Sequence, residues 1–303
     1  MENPSISVRN ISRSYGTVKA LDNVSFEVPK GELFGFIGPD GSGKTTLFRI
    51  LATLVIPDEG SATVEGFDVV KGFKKIRKII GYMPGRFSLY MDLSVEENLS
   101  FYATIFGTTI AKNYDLIKDI YQQIEPFKKR RAGQLSGGMK QKLALCCALI
   151  HKPAVIFLDE PTTGVDAVSR MEFWEMLRRL KESDITIMVS TPYMDEASLC
   201  DRVALIQGGK IMKISKPEDI VSDYRRELLA IRSGKFYELL KDLHEFPGIH
   251  SVFAFGQSAH VTFDQPVLEL EDLRTFLHNK NHLDAEIQKI KPSIEDCFME
   301  LMM

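Results

Sequence analysis

The residue pattern predicts an α/β domain over residues 1–217, followed by a small α+β domain of ferredoxin-like type over 218–303. Three observations carry this reading. A length of 303 residues suits about two domains. Up to about residue 217, short apolar runs alternate with helical patterns, which is the order of a parallel sheet with crossover helices. Beyond it the elements read βαββαβα, the ferredoxin-like order.

Taken in order, residues 5–40 read as strands. Val24, Phe26 and Val28 alternate with polar neighbours, the period of a half-buried strand. Pro29-Lys30-Gly31-Glu32 turns the chain into an apolar strand over 33–37 that runs into Gly38. A helix is expected over 45–54, ended by Pro57-Asp58-Glu59-Gly60, and a strand-like stretch over 61–70. Between about 92 and 150 the pattern is helical, and Ser94 with Glu97 forms a capping box that starts a helix over 95–106. The run 154–158 is apolar throughout, as suits a strand buried on both faces, and 185–190 and 203–207 are further candidates. In the second domain the expected elements are a strand over 227–232, a helix over 235–246, and a hairpin over 250–263 turning near Gly256-Gln257. A helix over 269–279, a strand over 285–290 and a helix over 293–302 complete it.

Composition narrows the class. At 44% hydrophobic and 26% charged, with average Gly and Pro, the chain is neither collagen-like nor mostly disordered. No apolar run approaches the roughly 18 residues of a membrane-spanning helix, and residues 1–20 lack the layout of a secretory signal. A membrane role is therefore expected to come through a partner. The net charge of −3 carries no nucleic-acid footprint, so no nucleic-acid partner is expected. Cys146, Cys147, Cys200 and Cys297 have neither disulfide-framework nor zinc spacing and read as reduced core thiols of a cytosolic protein. His244, His250, His260, His278 and His282 share no metal-ligand spacing and read as surface residues. Lys128-Lys129-Arg130-Arg131 and the five basic residues between Lys71 and Lys78 read as solvated faces, with lipid-headgroup contact as the alternative. Phe173 and Trp174 read as packing residues, and His151 receives no role.

Three motifs carry chemistry. Gly38-Pro39-Asp40-Gly41-Ser42-Gly43-Lys44-Thr45 fits the phosphate-loop pattern without mismatch, between a strand and a helix. Its glycines let successive N–H groups face one phosphate, and the following helix adds the positive end of its dipole. Lys44 is placed to reach the β- and γ-phosphates and the Thr45 hydroxyl to ligate Mg²⁺; with Thr46 these form the candidate ATP-binding residues. Second, the strand over 154–158 ends in Asp159-Glu160-Pro161, where a carboxylate faces the ligand crevice. Asp159 is read as holding the Mg²⁺ hydration shell and Glu160 as the general base on the attacking water. Third, Leu135-Ser136-Gly137-Gly138 precedes an apolar helix; Ser136 is an N-cap, and the paired glycines leave the first N–H groups open to an anion.

In this order the three motifs resemble the ATP-binding subunit of ABC transporters, over the whole first domain. The resemblance implies a P-loop ATPase with a β subdomain and a helical subdomain at about 92–150. It implies MgATP as ligand, with Lys44 and Glu160 catalytic. It also implies that Tyr15 stacks on adenine and that Thr163-Gly164-Val165-Asp166 forms the D-loop. Two ATPase subunits, identical or different, would sandwich two ATP molecules head to tail, each phosphate loop completed by the partner's Ser136, Gly137 and Gly138. The stretch from Lys291 to Leu301 resembles the tail of daunorubicin-resistance-type exporter ATPases. That implies separate ABC-2-type permease subunits and a cytoplasmic position, peripheral on the inner face of the membrane.

Two positions depart from the family. Gly85 stands where Gln follows Tyr-Leu-Pro in the Q-loop, and Pro192 where His follows Ser-Thr. Neither side chain carries a polar group. Slower turnover, a specialised half of an asymmetric pair, and an inactive or regulatory ATPase all remain open. A soluble ABC ATPase acting on ribosomes or DNA is the competing class; the single ATPase domain, the lack of a heptad insertion and the acidic pI weigh against it.

Overall fold

A computed structural model of the chain describes residues 3–86, 88–264 and 270–303. It divides into two compact units, 1–217 and 218–303. In the first unit β1 (Ile6–Tyr15), β2 (Val18–Val28), β4 (Glu59–Val64) and β5 (Phe67–Asp68) form an antiparallel sheet in the order β2-β1-β4-β5. A second sheet combines β3 (Leu33–Ile37), β6 (Ile80–Met83), β7 (Val155–Asp159), β8 (Thr186–Thr191), β9 (Arg202–Gln207) and β10 (Lys210–Ser215). Their order is β10-β9-β3-β8-β7-β6, parallel except for the β9–β10 pair.

The helices of this unit are α1 (Lys44–Leu51), α2 (Phe73–Ile79), α3 (Val95–Ile105), α4 (Tyr114–Tyr121), α5 (Gly137–Leu149) and α6 (Ala167–Lys181). The apolar runs behave as expected: every residue of β3, β7 and β8 is buried. Phe48 of α1 packs its ring against Phe36 of β3 and Phe157 of β7, at centroid distances of 6.4 and 6.1 Å. Residues of β1, β2 and β4 join the same core, so α1 is fixed by both sheets. That burial holds the phosphate loop at its N-terminus.

The capping box of α3 is present in both directions: Glu97 N–H donates to Ser94 Oγ, and Ser94 N–H donates to the Glu97 carboxylate. The expected helix over 45–54 is shorter, because Thr53 enters the left-handed region at φ +63°. The strand-like stretch over 61–70 breaks into β4 and β5 because Glu65 and Gly66 are also left-handed, at φ +49° and +75°. The run Lys128–Arg131 is more than a solvated face: the carbonyls of Lys128 and Arg130 accept from Glu96 and Val95 N–H groups in the first turn of α3.

A short helix, α7 (Pro217–Ser222), carries the chain across the boundary. The second unit holds β11 (Leu228–Arg232), α8 (Phe236–Leu243), β12 (Ile249–Phe255), β13 (Ser258–Phe263), α9 (Leu270–Asn279), β14 (Glu286–Ile290) and α10 (Ile294–Leu301). Its sheet is antiparallel with order β12-β13-β11-β14, the ferredoxin-like arrangement the element order predicts. Position 269, the expected start of α9, lies outside the described residues. Leu229, Ile231, Leu239, Val261, Leu273 and Leu277 form its own core.

His244 and His278 are exposed as expected, whereas the other three histidines of the second unit correct the sequence reading. His282 is buried, its ring held between Ser233 Oγ at 3.1 Å and Asp242 at 3.0 Å. His260 meets the buried Asp296 at 2.6 Å and stacks on Phe255, and His250 meets Asp264 at 2.8 Å. Sequence spacing could not show this, since the hydrogen-bond partners lie 14 to 49 residues away. All four cysteines are buried and none forms a disulfide, and burial pushes the thiols of Cys146, Cys147 and Cys200 up. Phe173 and Trp174 are buried in α6, as packing residues should be. No helix among the described residues is long and apolar enough to cross a membrane.

Candidate nucleotide site

The phosphate loop runs from the end of β3 to the start of α1. Two of its glycines are dictated by space. A Cβ at Gly38 would lie 2.2 Å from the Ile206 carbonyl, and one at Gly43 2.2 Å from that of Ala20. Gly43 caps α1 at φ +105° and Gly41 turns at φ +78°, values that disfavour side chains. Lys44 is almost wholly buried, and its ammonium donates to the carbonyls of Gly38 at 2.8 Å and Pro39 at 2.9 Å. It also meets Glu160 Oε1 at 3.1 Å. Ser42 Oγ is buried without a hydrogen-bond partner among the described residues. A buried hydroxyl normally finds a partner, and a phosphate oxygen in this loop would supply it. The residues present therefore fit a nucleotide phosphate.

At the end of β7, Asp159 accepts from Thr45 Oγ1 at 3.1 Å and from Ser190 Oγ at 2.7 Å. Burial raises its pKa, the two hydroxyls oppose that, and the Glu160 charge adds to it. Two hard oxygen donors meeting beside the phosphate loop fit a magnesium ion. Glu160 has the left-handed backbone, φ +49°, rare for a non-glycine residue. Its N–H donates to the Ser190 carbonyl at 3.1 Å and hydroxyl at 2.9 Å. Ser190 thus binds both members of the acidic pair. Sequence reasoning gave it no role, although it is the polar residue ending an apolar run, opposite Asp159 in the β7–β8 register.

The other expected residues are dispersed. Tyr15 lies at the exposed end of β1, with the Arg13 guanidinium over its ring at 5.1 Å. Ser136 caps α5, its hydroxyl accepting from Met139 N–H at 3.3 Å; Ser136 and Gly137 are exposed and Gly138 is buried. Gln141, one turn further on, donates to the Pro161 carbonyl at 2.7 Å. Asp166 caps α6 by accepting from Ser169 N–H, which lowers its pKa. Gly85 lies against the acidic turn, its Cβ position 3.2 Å from the Asp159 carbonyl. The Thr191 hydroxyl beside Pro192 accepts from Tyr193 N–H.

A phosphate loop after β3, an acidic pair at the end of β7 and a capped glycine pair at the start of α5 define a P-loop domain of the ATP-binding-cassette type. The profile of the ABC transporter family matches residues 21–163. The chain belongs to that family, as an ATP-binding protein. It is 32% identical over 305 residues to the Nod factor export ATP-binding protein I of Rhizobium sp. (strain N33), covering 99% of this chain and 98% of that one. It is 32% identical to the doxorubicin resistance ATP-binding protein DrrA of Mycobacterium tuberculosis, covering 98% and 93%. It is 38% identical over 217 residues to the probable multidrug ABC transporter ATP-binding protein YbhF of Escherichia coli (strain K12), spanning 38% of that protein's length. Among solved structures, cbiO1 from Clostridium perfringens, part of the ABC transporter complex cbiONQ, superposes with a TM-score of 0.65. It is 25% identical, over 73% of this chain and 92% of that one. The cassette MJ0796, solved as a dimer in a post-hydrolysis state with ADP and Pi, gives 0.63 at 25% identity, over 70% and 98%.

Proposed function

We propose that the chain is the ATPase subunit of an exporter. It binds MgATP in a head-to-tail dimer, hydrolyses it, and drives export through separate ABC-2-type permease subunits on the inner face of the membrane. The observation that carries this reading is the convergence of Lys44, Glu160 and the Thr45–Asp159 pair at one end of the parallel sheet. Lys44 and the loop amides from Gly38 to Thr46 hold the phosphates, and the exposed ring of Tyr15 offers the base a stacking surface. Glu160 takes the proton of the attacking water. Thr45 and Asp159 would hold the magnesium ion, which when bound offsets charge on the phosphate oxygens. Ser136, Gly137 and Gly138 serve the partner's nucleotide: the two exposed residues leave the first turn of α5 open to an anion.

A permease contact is supported by an apolar cleft of about 310 Å³ in this unit. Tyr82, Met83, Leu89, Tyr102, Phe106 and Cys147 line it, so it adjoins the segment that leads to Gly85. Relatives named for export of Nod factor and resistance to doxorubicin support export as the direction of transport.

The direct test is Glu160→Gln, which keeps shape and removes the base. ATP binding should persist, turnover should collapse, and an ATP-bound dimer should accumulate, with a partner ATPase where one is needed. Wild-type turnover in that variant removes Glu160 from the chemistry. A second reading, a hydrolysis-impaired half of an asymmetric pair, is favoured by Gly85 and Pro192. In that case Ser136→Arg silences a different ATPase partner while ATP binding at Lys44 is retained.

A further inference from the structure

We propose that Glu196 is a positioning residue for Glu160, acting through Thr162. The inference rests on the reading of Glu160 as the base. Glu196 sits on the 3-10 turn Met194–Leu199 and is only 1% exposed. Its carboxylate accepts from Thr162 Oγ1 at 3.0 Å and from Arg170 Nε at 3.1 Å. Thr162 is fully buried and lies two residues after Glu160. Arg170, in the first turn of α6, binds the segment that carries Glu196. It also binds Asp195 at 2.9 Å and covers the Tyr193 ring at 4.2 Å.

The turn held in this way is the one that needs holding. The left-handed backbone at Glu160 costs energy and persists only where its surroundings hold it. Ser190 grips the turn at the Glu160 amide, and Gln141 grips it at the Pro161 carbonyl. The Thr162–Glu196 bond is the third grip, and it supplies the downstream end. Thr163 N–H returns to the Glu160 carbonyl at 3.3 Å, so a shift of Thr162 is passed to the Glu160 backbone.

A buried ion pair is a poor source of net stability, since desolvation offsets most of its attraction. What it supplies here is a fixed geometry around a base, where a displacement of about 1 Å can cost about 100-fold in rate. Pro192, four residues before Glu196, has no polar side chain to tether its segment to a ligand. Arg170 and Glu196 tether that segment to the acidic turn from within the chain.

Thr162→Val tests this, because it removes one donor from an isosteric side chain and leaves the Arg170–Glu196 pair intact. On the full chain, with MgATP, kcat should fall by about tenfold at unchanged ATP affinity, the loss expected for a hydrogen bond to a charged group. Thr162→Ser, which keeps the donor, should recover most of that loss. Thermal melting run in parallel reports on folding. A lowered melting temperature with kcat intact makes the contact purely structural and overturns the proposal. If hydrolysis depends on Glu160 but is indifferent to Thr162→Val, the positioning role alone fails. If the wild-type chain binds ATP and never hydrolyses it, the reading of Glu160 fails and this inference with it.

Discussion

Lys44 is the one side-chain cation within the phosphate loop, and its ammonium already spans the Gly38 and Pro39 carbonyls and the Glu160 carboxylate. Lys44→Ala should abolish tight MgATP binding, and calorimetry that finds the affinity unchanged would show the loop match to be accidental. At Gly85 and Pro192 the missing groups can be restored together. Losing a transition-state contact typically costs about 10²- to 10³-fold, so Gly85→Gln with Pro192→His should raise turnover. The Cβ at residue 85 must fit 3.2 Å from the Asp159 carbonyl, a tight contact that asks the acidic turn to give slightly. Steady-state ATPase rates decide it; no gain places the chain with the hydrolysis-impaired half. His151 offers a pH test. Burial lowers its pKa from 6.5, while its ring stacks on Phe106 and binds the Ile80 carbonyl. The unfolded chain therefore takes up the proton first, so this contribution is full above about pH 6.5 and is lost as the pH falls below that. His151→Phe should show a smaller drop in melting temperature on acidification than wild type does.

Helix α5 carries the signature residues at its start and is locked at that end by neighbours from α6. A Cβ at Gly138 would meet Ser169 Oγ at 2.8 Å and its Cβ at 3.1 Å. Gly138→Ala should therefore destabilise the unit by about 1–3 kcal/mol, the usual cost of overpacking. Adding Ser169→Gly clears both contacts and should recover part of the loss, an interaction that a double-mutant cycle by chemical denaturation measures. The capping box of α3 behaves locally. Ser94→Ala removes its acceptor and should cost about 1 kcal/mol, with no effect on ATP affinity.

At the scale of the molecule, two units have separate cores, each complete in itself. Residues 218–303 expressed alone should unfold cooperatively. A gradual, non-cooperative melt by circular dichroism would show that this core does not suffice. Within that unit Asp296 holds the last helix. It closes the Ser293 capping box and accepts from His260 at 2.6 Å while buried. Asp296→Ala leaves the Ser293 N–H without its side-chain acceptor and the His260 ring without its buried partner, and should melt α10 before the rest of the unit.

The sequence by itself determined most of the elements and picked out the candidate residues of the two central motifs. Apolar runs, caps and glycines are local signals, and the spacing of a phosphate loop admits little else. Hence β3, β7 and β8, the start of α3, the ferredoxin-like order and the candidate residues Lys44, Asp159 and Glu160 were legible. The tertiary structure alone decided which side chains meet. Ser190, Gln141 and Glu196 come to the acidic turn from three separate elements, and only Ser190, the polar end of an apolar run, carries a local hint of it. The buried His282 and the His260–Asp296 pair were hidden for the same reason. A polar residue's environment depends on contacts distant in the chain, and burial turns an unremarkable histidine or glutamate into a fixed part of the fold only once those contacts close.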